Sequence, residues 1–245
     1  MSIRIYHTSD LHDHRGIVPR LRALRAAEPG LLFDCGDSLR GSQTMYYRRE
    51  PIVDEIDAAG YDVQAMGNRE FHYLFGAVRA RVARMRHPLI CSNLVDVRGR
   101  PLPYQDHWIR EIDDGGVARR MHAIGLLVPQ YPAGSRWERL FGWRFLVPYD
   151  VAAGYAARVA DDAILVVLSH LGLRADRELA ARVPRIDLIL GGHSHDTLFE
   201  PLYVGAVPIV HAGPYGKFLS RTELDAGHGR ARIARFDLLP LREAA

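Results

Sequence analysis

Residues 3–12 read IRIYHTSDLH: a short run of strand-like alternation that breaks abruptly into Asp10-Leu11-His12. An aspartate and a histidine two residues apart, set directly behind a strand, place two metal-binding donors on the loop at its carboxyl end. The same arrangement recurs along the chain. Leu31–Cys35 is followed by Gly36-Asp37, and Tyr61–Met66 by Gly67-Asn68. Ala163–Leu168 is followed by Ser169-His170, and Ile186–Leu190 by Gly191-Gly192-His193-Ser194-His195. The last two runs are almost wholly apolar, as strands buried on both faces are. In open α/β sheets the carboxyl ends of the strands form the ligand crevice, so these endings are expected to converge. One Asp-x-His or His-x-His carries little weight, since a lone histidine usually fills a structural role. Five such endings in succession are not a product of packing alone.

Helical patterns alternate with the strand-like runs. Ile17–Ala27 and Pro51–Gly60 read as helices, the second opened by a proline at its start, and Pro88–Ser92 reads as a further strand. The arginines of Arg79–Arg86 (RARVARMR) are expected on the solvated face of an amphipathic helix. HWIREID and VARRMHAIGLLV read as strands joined by DDGG, and Val207–Ala212, Phe218–Leu224 and Ala231–Leu238 close the chain as β-rich structure. The pattern is one α/β domain over residues 1–245 with an antiparallel tail.

With 48% hydrophobic and 25% charged residues, the 245-residue chain has the composition of a soluble globular protein. No apolar run approaches the roughly 18 residues that a membrane span needs. The amino terminus enters a strand pattern at once, which leaves no room for a signal peptide, so a cytoplasmic location is expected. The net charge of +3 comes almost entirely from arginine, as a GC-rich coding bias would produce; Lys217 is the sole lysine, a weak hint of a position where arginine fits badly. Positive and negative charges are balanced, and no long basic groove of the kind that nucleic acid needs is legible. Cys35 and Cys91 sit in strand-like runs and are expected as reduced core thiols.

The endings supply two carboxylates (Asp10, Asp37), one amide oxygen (Asn68) and four imidazoles (His12, His170, His193, His195). Seven donors are too many for one tetrahedral ion and suit two divalent ions that share a bridge. Mixed imidazole and oxygen donors favour Mn, Fe, Zn, Co or Ni over an all-oxygen Mg site. Two carboxylates under two divalent ions leave positive charge uncompensated, which favours a hydroxide and a phosphoryl group.

The order DLH, GD, GN, SH, GGHSH resembles the calcineurin-like metallophosphoesterases, from about residue 3 to 200. GNREFHY, SHLGLRADRELA, DLILGGHSHDTL and VHAGPYGKFLSRTEL look like the catalytic domain of the 5′-nucleotidase branch and carry the resemblance to about residue 225. The resemblance implies a four-layer α-β-β-α sandwich built on two mixed β-sheets. It implies that Asp10, His12 and His195 hold the first ion, that Asp37 bridges, and that Asn68, His170 and His193 complete the second site. His14 would stand just behind these ligands. Glycines 36, 67, 191 and 192 would let the backbone turn sharply beside the ions. The implied activity is hydrolysis of a small phosphate ester, a nucleotide or cyclic nucleotide above all, by a metal-bridging hydroxide. A nuclease of the same superfamily and a non-catalytic metal or nucleotide binder are the alternatives.

Two departures from the family pattern stand out. The branch usually continues into a second domain that stacks the nucleoside, whereas this chain stops about twenty residues after LSRTEL. That domain is expected to be missing, and nucleotide specificity is not carried over. The segment VPQYPAGSRWERLFGW offers Tyr131, Arg136, Trp137 and Trp143 either as a local substrate wall or as a hydrophobic lid. Secondly, the family's GNHE has a histidine after the asparagine and commonly an aspartate three residues later; here these are Arg69 and His72. If the segment begins a helix, positions i and i+3 project together. Arginine keeps its proton and is no general acid, but it grips phosphoryl oxygens. Leaving-group protonation then falls to His72, to a metal-bound water or to nothing. Alternatively Arg69 pairs with Glu70 or another acid and the site is slow or dead.

Overall fold

A computed structural model describes residues 3–114, 117–227 and 230–242, so the glycines of the DDGG connection lie outside the described residues. The chain runs β1 (Ile3–Thr8), α1 (Val18–Ala27), β2 (Leu31–Asp34), α2 (Pro51–Ala59), β3 (Val63–Ala65), α3 (Phe75–Val82), β4 (Leu89–Ile90), β5 (Leu94–Asp96), β6 (His107–Asp114) and β7 (Val117–Leu127). It continues α4 (Arg136–Phe141), β8 (Trp143–Phe145), α5 (Pro148–Ala156), β9 (Ile164–His170), α6 (Leu173–Arg182), β10 (Leu188–Gly191), β11 (Leu202–Val204), β12 (Val207–His211), β13 (Phe218–Asp225) and β14 (Arg232–Pro240).

One sheet has the order β14-β13-β1-β2-β3-β4 and the other β11-β12-β10-β9-β7-β6; β5 and β8 form a separate ribbon. Strands β1 to β4 are parallel and β13 and β14 antiparallel to their neighbours. In the second sheet β7, β9, β10 and β12 are parallel, with antiparallel strands at both edges. Side chains alternate along each central strand. Ile164, Val166 and Leu168 of β9 meet Ile5, Phe33 and Val63 between the sheets, while Leu165 and Val167 face Ala152 of α5 and Leu179 of α6. Both faces of β9 are therefore buried, the physical reason that its sequence reads as unbroken apolar residues.

The first sheet is covered outside by α1 and α2. Helix α2 opens on Pro51 and ends at Gly60, whose φ of +73° costs least without a side chain. Its residues Ile52, Val53, Ile56 and Ala59 pack with Tyr6 and Leu32; a fully buried branched side chain contributes roughly 1.5–3 kcal/mol. The result is the expected four-layer sandwich. Cys35 and Cys91 are buried free thiols. Among the described residues no helix is long and apolar enough to cross a membrane.

The arginine stripe corrects one expectation. Helix α3 ends at Val82, and Arg79, Arg84 and Arg86 are exposed, but Arg81 is only 2% exposed. Its guanidinium donates to the carbonyls of Glu70 (3.3 Å), Phe71 (2.6 Å), Ser42 (2.9 Å) and Met45 (2.7 Å). Loop carbonyls need partners once buried, and the planar fork of one arginine satisfies four of them.

Candidate metal centre

Strands β1, β2 and β3 are parallel, so their carboxyl ends lie along one edge of their sheet, as those of β9 and β10 do in the other. Hydrogen bonds across the sandwich join the two edges: His170 Nδ1 donates to Cys35 O (2.7 Å), and the His193 N–H donates to Asp10 Oδ2 (3.0 Å). Each chain segment turns sharply at this point. Asp10, His12, Asp37, His193 and His195 all hold positive φ, between +49° and +73°. Each such non-glycine residue costs roughly 1–3 kcal/mol, so the surrounding contacts must over-determine it. The contacts are visible: Asp10 N donates to Gly36 O and His12 N to Asp37 O, both at 2.9 Å. Gly36 and Gly67 approach so closely that a Cβ on Gly67 would lie 2.3 Å from Asp37 N. Of the four glycines expected to turn sharply, Gly36 alone has positive φ; at Gly67 it is this close approach that excludes a side chain.

The turned loops bring donor atoms together. Asp10, His12 and His195 form one group with ligating atoms within 4.8 Å of one another, and Asp10, Asp37 and His170 form a second. Asp10 thus belongs to both. Asp37 also faces both sides, with Oδ1 3.3 Å from His170 Nε2 and Oδ2 4.0 Å from His12 Nε2. His12 and His195 point their Nε2 atoms at each other, 3.1 Å apart. Asn68 and His193 adjoin: Asn68 Nδ2 lies 3.3 Å from His193 Nδ1. The Asn68 oxygen is instead occupied by Gln130 Nε2 (2.8 Å), which also donates to Val128 O and so is fixed as a donor. For Asn68 to offer its oxygen to an ion, its carboxamide must turn over.

The electrostatics call for a cation. Burial pushes the Asp37 carboxyl up, but the neighbouring His170 charge and the Arg69 N–H (2.8 Å) hold it well below the usual carboxylate range. Burial pushes His170 down, and Asp37 more than reverses this, to about 10. His170 Nε2 is fully buried and has no hydrogen-bond partner. A buried nitrogen without a partner, aimed at two carboxylates, is the environment a divalent ion completes. The residues present fit such an ion at both groups.

Around this centre Glu70 acts as an organiser. Fully buried, its carboxylate accepts the N–H groups of Asp37 (2.8 Å), Gly67 (2.9 Å), Ser38 (2.9 Å) and Leu39 (3.3 Å). Behind His170, Asp176 bonds both Ser169 Oγ and His211 Nε2. Tyr215, itself at φ +67°, presents its ring to His12, His14 and His195 with centroids 5.5, 4.7 and 5.5 Å away. Lys217 stands 5.8 Å from that ring. Glu70, Tyr215 and Gln130 are not singled out as functional by sequence reading. The flanking glycines of Gly213-Pro214-Tyr215-Gly216 are the signal that could have marked Tyr215.

The remaining expected residues divide. His14 donates through Nδ1 to Leu11 O (3.0 Å) and stands beside the ligands without joining them. Arg69 does not pair with Glu70: its Nη1 donates to the carbonyls of Leu39 (3.3 Å) and Arg40 (3.1 Å). Its other guanidinium hydrogens have no partner among the described residues. His72 is not brought to the seven donors. Its Nδ1 accepts the Leu74 N–H (3.0 Å), and burial, then Arg81, hold its pKa below the ordinary histidine value. The helical pairing of Arg69 with His72 is corrected as well. Residues 68–70 form a turn tied back by Glu70 to Gly67, and helix begins only at Phe75.

Comparison with known proteins finds similar phosphoesterases. No family model matches the chain. The metallophosphoesterase YunD of Bacillus subtilis is 31% identical over 236 residues, which is 91% of this chain and 50% of YunD. The 2′,3′-cyclic-nucleotide 2′-phosphodiesterase/3′-nucleotidase of Salmonella typhimurium is 24% identical over 100% of this chain and 47% of its own length. Among solved structures, a 5′-nucleotidase precursor from Thermus thermophilus superposes with a TM-score of 0.80 at 24% identity, covering 98% of this chain and 54% of that one. The calcineurin-like phosphoesterase YfkN from Bacillus subtilis gives 0.74 at 19% identity, with 98% and 91% covered. The chain spans about half the length of the curated relatives it matches.

Proposed function

We propose, from the premise that the chain is homologous to the metallophosphoesterases and 5′-nucleotidases and has the calcineurin-like phosphoesterase fold, that it is a two-metal hydrolase of small phosphate esters, nucleotides among them. The observation that carries this reading is the convergence of Asp10, His12 and His195 with Asp10, Asp37 and His170. Asp10, His12 and His195 would hold one ion; Asp37 would face both; His170, His193 and Asn68 would complete the other. Bound there, two divalent ions would supply an acidified water and neutralise charge on a phosphoryl group.

The chain's own groups do the rest. The loop bonds of Glu70 fix Asp37 and the Asn68 turn before substrate arrives, which is the preorganisation that charge stabilisation needs. Arg69, anchored through Nη1 on two carbonyls, keeps free N–H groups for phosphoryl oxygens. Tyr215 packs against His12 and His195 and limits their rotation.

The test is elemental analysis of protein loaded with Mn or Zn, followed by turnover on simple phosphate esters. Close to two ions per chain are expected, with both lost in Asp37→Ala and the second better retained in His12→Ala. One ion or none would overturn the assignment, and two ions without turnover would make the protein a metal binder.

A further inference from the structure

Beside the metal centre lies a cleft of about 540 Å³ lined by Thr44, Tyr73, Gln130, Tyr131, Trp137 and Phe141. Its aromatic rings form a near-parallel series. Trp137 and Phe141 are 9° apart in plane with centroids at 5.9 Å; Phe141 and Tyr73 are 22° apart at 4.8 Å; Tyr73 and Tyr131 are 23° apart at 6.3 Å. A lid would turn such rings inward, and two aromatic residues of this segment do turn in. Trp143 is fully buried and donates to the carbonyls of His72 and Tyr73, while Tyr131 donates to Trp143 O. Trp137 does not: it remains 49% exposed at the outer end of the series. Gln130 joins the cleft to the donor set, since the same side chain lines it and donates to Asn68 Oδ1 at 2.8 Å.

We infer that this cleft receives the planar heterocycle of the substrate, a nucleobase stacked on Trp137 while its phosphate lies at the metal centre. The inference rests on the phosphoesterase reading for the phosphate and on the cleft alone for the base. Three features support it. A ring series that ends on an exposed indole has a free face on which one more ring can stack. The volume falls within the range of small-molecule sites. Thr44, exposed at the cleft, offers a hydroxyl to the edge of a base, which a purely apolar patch would lack. The two halves of the segment thus divide: Tyr131 and Trp143 pack as a lid would, and Trp137 and Phe141 act as the wall.

The experiment uses the full chain, first free of metal. Calorimetric titration with adenosine should show binding, while ribose 5-phosphate at the same concentrations should not. Trp137→Leu should weaken adenosine binding by roughly tenfold or more, the lower part of the range expected for one base stacked on an aromatic ring. Trp137→Phe should restore most of it. In the metal-loaded protein, Trp137→Leu should raise KM for adenosine 5′-monophosphate by a larger factor than KM for glycerol phosphate. Failure of adenosine to bind, or equal affinity in Trp137→Leu, would overturn the inference. Loss of adenosine affinity in Trp137→Leu, in a protein that hydrolyses no phosphate ester, would keep the cleft and refute the enzymatic reading.

Discussion

Glutamate 70 should hold the metal centre together without touching an ion, and Glu70→Gln isolates that role. The replacement keeps shape and volume, so no cavity forms. It turns one acceptor oxygen into an NH₂ group facing two N–H donors, either those of Asp37 and Gly67 or those of Ser38 and Leu39. Each buried donor left without a partner costs about 1–3 kcal/mol. Two of them cost about 2–6 kcal/mol, a large share of the usual 5–15 kcal/mol of folding stability. Burial, then the Asp37 charge, push the Glu70 carboxyl up, and the N–H groups of Asp37 and Gly67 oppose this. Urea unfolding of metal-free protein reads the stability change, and calorimetric titration with Mn reads the ligand geometry. We expect a loss of several kcal/mol and clearly weaker metal binding, because Asp37 and Asn68 ride on the released loops. A Glu70→Gln protein that unfolds within about 1 kcal/mol of wild type, with metal affinity intact, would refute the organiser role.

Acid should act through His7, whose buried ring bonds Ser220 Oγ at 3.0 Å and is held at about 3 by burial, then by His211. The folded state refuses a proton that the unfolded chain accepts below about 6.5, so this stability is complete above that pH and lost as pH falls toward 3. The stability gap between wild type and His7→Gln should therefore narrow by about 1.4 kcal/mol per pH unit below 6.5; a gap constant from pH 7.5 to 4.5 would contradict it. Arg69→Ala should slow aryl and alkyl phosphate esters alike, by roughly a hundredfold if its free N–H groups stabilise developing charge; a loss confined to one class would assign it another role. His72→Gln should lower stability and leave the aryl-to-alkyl rate ratio unchanged, whereas a selective loss on alkyl esters would make His72 the proton donor.

Much of the centre was legible because strand endings are local. A strand of about six residues with Asp-x-His at its end declares both the element and the donors, and five repetitions declare a shared crevice. The apolar runs of β9 and β10 announced strands buried on two faces for the same local reason. What sequence could not decide depends on atoms far apart along the chain. Glu70 reads as one more acid until its oxygens are seen to collect N–H groups from residues 37–39. Arg81 reads as a surface charge until four loop carbonyls surround it. Tyr215 comes two hundred residues after Asp10, yet its N–H donates to Asp10 O (2.8 Å) and its ring rests on His12. Propensity and periodicity are set by near neighbours, so they specify which elements form and which donors those elements carry. A buried hydrogen-bond partner or an exposed ring face exists only once loops far apart in sequence have packed on one another, and that packing settles which way Arg69 and Trp137 point.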